Sequence, residues 1–147
     1  LLLFRFVEKH GQLLYDMIRE NADGKRKIFF VHGGTDTDTR ENIRHVVESE
    51  RNAIIVASYG VFSVGVNIRN LSNIVFASPS KSRIRNLQSI GRGLRIGDSK
   101  ETATLYDISD DLTYKEKKNF TLTHFQERIN IYNEEGFNYE IHSVNLK

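Results

Sequence analysis

Asn52 to Ser58 reads NAIIVAS. Its centre is β-branched and apolar with no polar alternation, so a strand here has both faces covered. That is the pattern of an inner strand of a parallel sheet with helices on either side, not of an antiparallel strand with one wet face. Upstream, KIFFVHGG (Lys27 to Gly34) predicts a second buried strand ending on two glycines. Asp23-Gly24 breaks a helix expected over Glu8 to Asn21, where Leu13, Leu14, Met17 and Ile18 recur at helical spacing. Leu1 to Val7, apolar apart from Arg5, reads as the strand before that helix. Thr35 to Thr39 offers N-cap candidates ahead of Ile43, Val46 and Val47, predicting a helix from Asp38 to Glu50. Downstream, NIVFASP (Asn73 to Pro79) repeats the strand pattern, and Pro79 stops it before a helical stretch with Ile84, Leu87, Ile90 and Leu94. TATLYDI (Thr102 to Ile108) is a further strand.

Strands alternating with helices in this way imply right-handed crossovers and an open, mostly parallel α/β sheet, whose ligands gather at the carboxyl ends of its strands. The tail differs. Glu116 to Glu135 predicts an amphipathic helix with Phe120, Phe125, Ile129 and Tyr132 on a packing face, Gly136 ending it and YEIHSVNL adding a last strand or arm.

With 147 residues, 39% hydrophobic and 27% charged, the chain can bury one core and is short for two ordinary domains. LLLFRF at its start looks like a core strand beginning in mid-protein, so a fragment of a longer protein is expected. An apolar run near 18 residues and a charged-then-apolar leader are both lacking, so neither a membrane span nor a secretory signal is read, and a cytoplasmic setting is the default. The absence of cysteine excludes disulfides and thiolate metal sites. A net charge of +2 does not imply a polyanion partner, but Lys81 to Lys100 carries six basic residues against Asp98 alone.

Each strand is followed by small or polar residues where a backbone could approach phosphate: Gly33-Gly34, Ser58-Tyr59-Gly60 and Ser78-Pro79-Ser80. QSIGRGLR (Gln88 to Arg95) is sharper. On a helix Gln88, Arg92 and Arg95 share one face, and the planar guanidinium fork matches phosphate oxygens. Catalysis by the chain itself finds no support, because the GxxxxGK[ST] loop that cradles ATP and positions its magnesium is absent. His10, His32, His45, His124 and His142 lack metal-ligand spacing, and Asp110-Asp111 reads as a solvated strand end, so no metal site is expected.

QSIGRGLR resembles motif VI, Q-x-x-G-R-x-x-R, of the superfamily 2 helicases. IIVASYGVFSVGVNI (Ile54 to Ile68) resembles their motif V, VHGGTDTDTRE (Val31 to Glu41) their H-G…R segment, and LLLFRF stands where motif IV does. The resemblance covers roughly residues 1 to 108. It implies a RecA-like C-terminal motor lobe over 1–112, with the helix and terminal strand or arm of 113–147 packed on it. It implies ATP with Mg2+ bound mainly by an N-terminal lobe of the same parent chain, with single-stranded or branched DNA as partner and no membrane. Arg92 and Arg95 would be the arginine fingers, Gln88, Gly65 and Asn67 would lie at the nucleotide, and Ser58, Gly60, Arg40, Gly33, Lys81, Arg83, Arg85 and Arg5 at the DNA backbone. Asn67 departs from the family's aspartate, Ser58 from its threonine, and Thr37 from a frequent glutamine. Within the family the likeness leans toward recombination and repair helicases; a restriction-system translocase lobe and a non-catalytic nucleic-acid-binding module are the alternatives.

Overall fold

The computed structural model describes residues 1–5, 7–62, 68, 71–78, 103–115 and 119–145, with backbone alone at 7, 8 and 62. The described residues fall into two compact units, one up to Ile108 and the other from Ser109 on. In the first, β1 (Leu2–Phe4), β2 (Ile28–Val31), β3 (Ile54–Ser58), β4 (Asn73–Phe76) and β5 (Thr104–Asp107) form one sheet in the order β2-β3-β1-β4-β5. Every pairing is parallel. All five strands therefore end on one edge, and β3 and β1 lie inside the sheet with Leu3, Phe4 and Val56 fully buried.

Paired residues of a parallel sheet point to the same side, so the register sorts the core into two faces. Phe4 is level with Ser58, and Phe30 with Val56. The Tyr15 ring of α1 (Gln12–Asn21) stacks on Phe30 at 5.2 Å, placing α1 on that face. Val31, Ile55 and Ala57 belong to the other face, where they line a cleft with Arg40, Ile43 and Arg44 of α2 (Thr37–Ser49). At about 20 Å³ that cleft has room for one water. It is a packing gap. The connection out of β1 thus lies on one face and that out of β2 on the other, as right-handed crossovers require.

The boundaries follow local chemistry. α2 starts at Thr37 because Asp36 caps it, its carboxylate accepting from the Thr39 N–H at 2.8 Å and the Thr39 hydroxyl at 2.7 Å. Those two bonds, the backbone one first, hold the Asp36 carboxyl below the usual range. The helix expected from Glu8 begins instead at Gln12, behind a π-helical turn over Val7–Gly11. A Cβ on Gly11 would stand 2.4 to 2.7 Å from three atoms of the Phe4 ring, so only glycine lets this turn close over β1. The residues Tyr59–Phe62, directly after β3, form one turn of helix, α3.

The second unit carries α4 (Phe120–Glu134). Asn119 caps it through Leu122 N–H at 3.2 Å, while its amide donates to Asp111 at 2.8 Å. Asp111 also accepts from the Thr113 hydroxyl and N–H, and these bonds, the hydroxyl's first, lower its carboxyl's pKa. The sequence placed Phe120 on the packing face. Phe120 is exposed instead, and α4 buries Arg128 and Tyr132. Gly136, at φ 69°, ends the helix, and 137–145 continue as an arm without strand pairing.

The Leu1 nitrogen donates to the Asn73 carbonyl at 2.8 Å and the Leu1 carbonyl accepts from the Val75 N–H at 2.7 Å, so the bonding of β1 to β4 reaches back to Leu1.

Candidate functional site

The carboxyl ends of β2 and β3, neighbours in the sheet, bring His32, Gly33 and Gly34 beside Ser58, Tyr59 and Gly60. Ala77 and Ser78 follow β4 on the same edge, while Pro79 and Ser80 lie outside the described residues. Arg5, exposed, follows β1 between β3 and β4. Ser58 is buried, on the face of Phe4.

The β2 end is the best defined. His32 to Thr35 is a turn closed by the Thr35 N–H on the His32 carbonyl at 2.9 Å, and the His32 N–H donates to the Thr35 hydroxyl at 3.1 Å. The Thr35 carbonyl accepts from Arg40 Nε at 2.7 Å. Arg40 is thereby tied back to the turn, with no ion pair and with both Nη groups free of hydrogen bonds among the described residues. The Gly33 N–H is likewise unused.

Among the described residues nothing requires glycine at Gly33 or Gly60: neither has a positive φ, and a Cβ on either would meet no described atom within 4 Å. Both are exposed. Gly34 differs, since its Cβ would stand 3.0 Å from His32 Cε1.

Gly65, Asn67, Lys81, Arg83, Arg85, Gln88, Arg92 and Arg95 lie outside the described residues, as does the helix expected through Ile84 to Leu94. Among the described residues there is no group of three or more His, Asp or Glu that could hold a metal ion, and no helix long and apolar enough to cross a membrane. Sequence reasoning missed His32, whose Nδ1 accepts from the Gly34 N–H at 3.1 Å and whose signal was its place directly before two glycines.

Residues 2–97 match the family described as helicase conserved C-terminal domain. The chain belongs to that family. This helicase lobe is 40% identical over 98% of its length to the ATP-dependent DNA helicase uvsW of Enterobacteria phage T4, and spans 30% of that protein. It is 29% identical over 73% of its length to the putative ATP-dependent helicase IRC3 of Saccharomyces cerevisiae, spanning 15% of it. The helicase lobe also shares its fold with the C-terminal part of the Fun30 ATPase domain, at TM-score 0.58 and 16% identity, over 93% of this chain and 48% of that one. The fold is thus the RecA-like α/β one.

Proposed function

We propose that this lobe is the C-terminal half of an ATP-driven DNA helicase or translocase. The strand-end edge grips the DNA backbone, with Gly33, Gly60, Ser58, Arg40 and Arg5 at the phosphates and Lys81 and Arg83 as further contacts. Arg92 and Arg95 meet the nucleotide's terminal phosphates across a cleft to a second lobe of the same parent chain, supported by Gln88, Gly65 and Asn67. That second lobe carries the phosphate loop and the magnesium-binding acids, so this lobe alone hydrolyses nothing. Branched DNA in recombination and repair, inside a phage-infected host's cytoplasm, is the setting that the resemblance to the phage helicase supports.

The observation that carries the grip is the pair Gly33 and Gly60. Two exposed glycines on adjacent strand ends, with no reason among the described residues to be glycine, fit a surface where an outside backbone comes close. Phosphate contacts from backbone amides and arginines fix register without reading sequence, which suits a motor that must step along any DNA.

Gly33→Ala and Gly60→Ala test this in the full-length parent. Gly60→Ala should leave thermal stability equal or raise it, since glycine in a helix costs about 1 kcal/mol relative to alanine and the added Cβ meets nothing within 4 Å among the described residues. Each should weaken DNA binding about tenfold, or about 1.4 kcal/mol. Wild-type affinity in both variants would defeat the grip.

A further inference from the structure

We propose that His32 is a positioning residue whose imidazole shapes the Gly33-Gly34 turn, presenting the Gly33 N–H and Arg40 to one DNA phosphate. The inference rests on the reading of this edge as a DNA grip.

His32 Nδ1 accepts from the Gly34 N–H at 3.1 Å. That bond requires the neutral ring to carry its proton on Nε2. The ring is held from behind by Phe30, at 5.2 Å between centroids, and Phe30 is itself stacked on Phe4 at 5.5 Å and on Tyr15 at 5.2 Å. A core of aromatic rings thus fixes one nitrogen, and that nitrogen fixes the amide of Gly34.

The consequence is selective. Of the two consecutive amides, Gly34 is committed to the imidazole and Gly33 is not. The same turn, through the Thr35 carbonyl, holds Arg40 by Nε and leaves its Nη groups uncommitted. One hydrogen bond accepted by His32 therefore sets the orientation of a peptide donor, Gly33, and through Thr35 that of the Arg40 guanidinium. Gly34 is glycine because a Cβ there would press on His32 Cε1 at 3.0 Å and Nδ1 at 3.2 Å.

The test compares His32→Ala, His32→Asn and His32→Gln in the full-length parent, by DNA affinity over a range of salt. The Asn Oδ1 can stand where Nδ1 accepts; the Gln amide reaches toward the position of Nε2 instead. His32→Ala should weaken DNA binding about tenfold and reduce the slope of log affinity against log salt by about one, the loss of one phosphate contact. Asn should recover most of both, Gln neither, and Gly34→Ala should behave as His32→Ala does. Wild-type affinity in His32→Ala overturns the proposal. So does equal behaviour of Asn and Gln, which also decides the matter if the alanine variant fails to fold. If Gly33→Ala and Gly60→Ala lose affinity while His32→Ala keeps it, this inference alone fails; if all three keep it, the grip itself fails.

Discussion

Arg95→Ala in the full-length parent is expected to lower DNA-stimulated ATP hydrolysis by about a hundredfold or more, with DNA binding retained when measured separately. An arginine that meets phosphate charge only when two lobes close contributes where charge develops, and such fingers are worth about 10³–10⁵ in rate. The spacing of Gln88, Arg92 and Arg95 supports that use, because on a helix all three share a face. Lysine should not replace Arg95, since a point charge cannot make the bidentate contact of a guanidinium. Equal hydrolysis by wild type and variant would assign the arginines to DNA or to packing. A parent that hydrolyses nothing, with or without DNA, would make this lobe a binding module.

The fold was legible where one stretch of chain answers to one local rule. NAIIVAS announced β3 because both its faces are covered, and the cap candidates from Thr35 to Thr39 announced the start of α2 to within one residue, Asp36 being the one that caps it. The π-helical turn was not legible. Its cause is the Phe4 ring meeting Gly11 through space, and no periodicity records that. Phe120 and Arg128 show the same limit in α4. Helical spacing marks which positions share a face, but the structure buries an arginine over Phe125, at 5.7 Å, and exposes a phenylalanine. At the candidate site, Gly33, Ser58 and Gly60 could be named because parallel strands bring their ends to one edge, and Arg40 because the H-G…R segment resembles that of the helicases. His32 could not, because what it does is accept, at a ring nitrogen, from the amide two residues on.

Phe4→Ala should cost about 3–5 kcal/mol of stability, a large part of the roughly 5–15 kcal/mol that holds such a domain folded. The ring is fully buried, stacked on Phe30 with 21° between planes, and covered by Gly11 of the π-helical turn. Urea unfolding should show the midpoint falling, and Phe4→Leu, which keeps most of the volume, should fall less. Because Phe30 also backs His32, DNA affinity should drop even where Phe4→Ala remains folded. Gly11→Ala is destabilising in the wild-type chain, since its Cβ would enter the Phe4 ring. In the Phe4→Ala chain that space is open. The double variant should therefore be more stable than the sum of the single effects predicts, by at least about 1 kcal/mol, a coupling expected only of residues that share one cavity. Strict additivity would mean that the turn closes over β1 for some reason other than this ring.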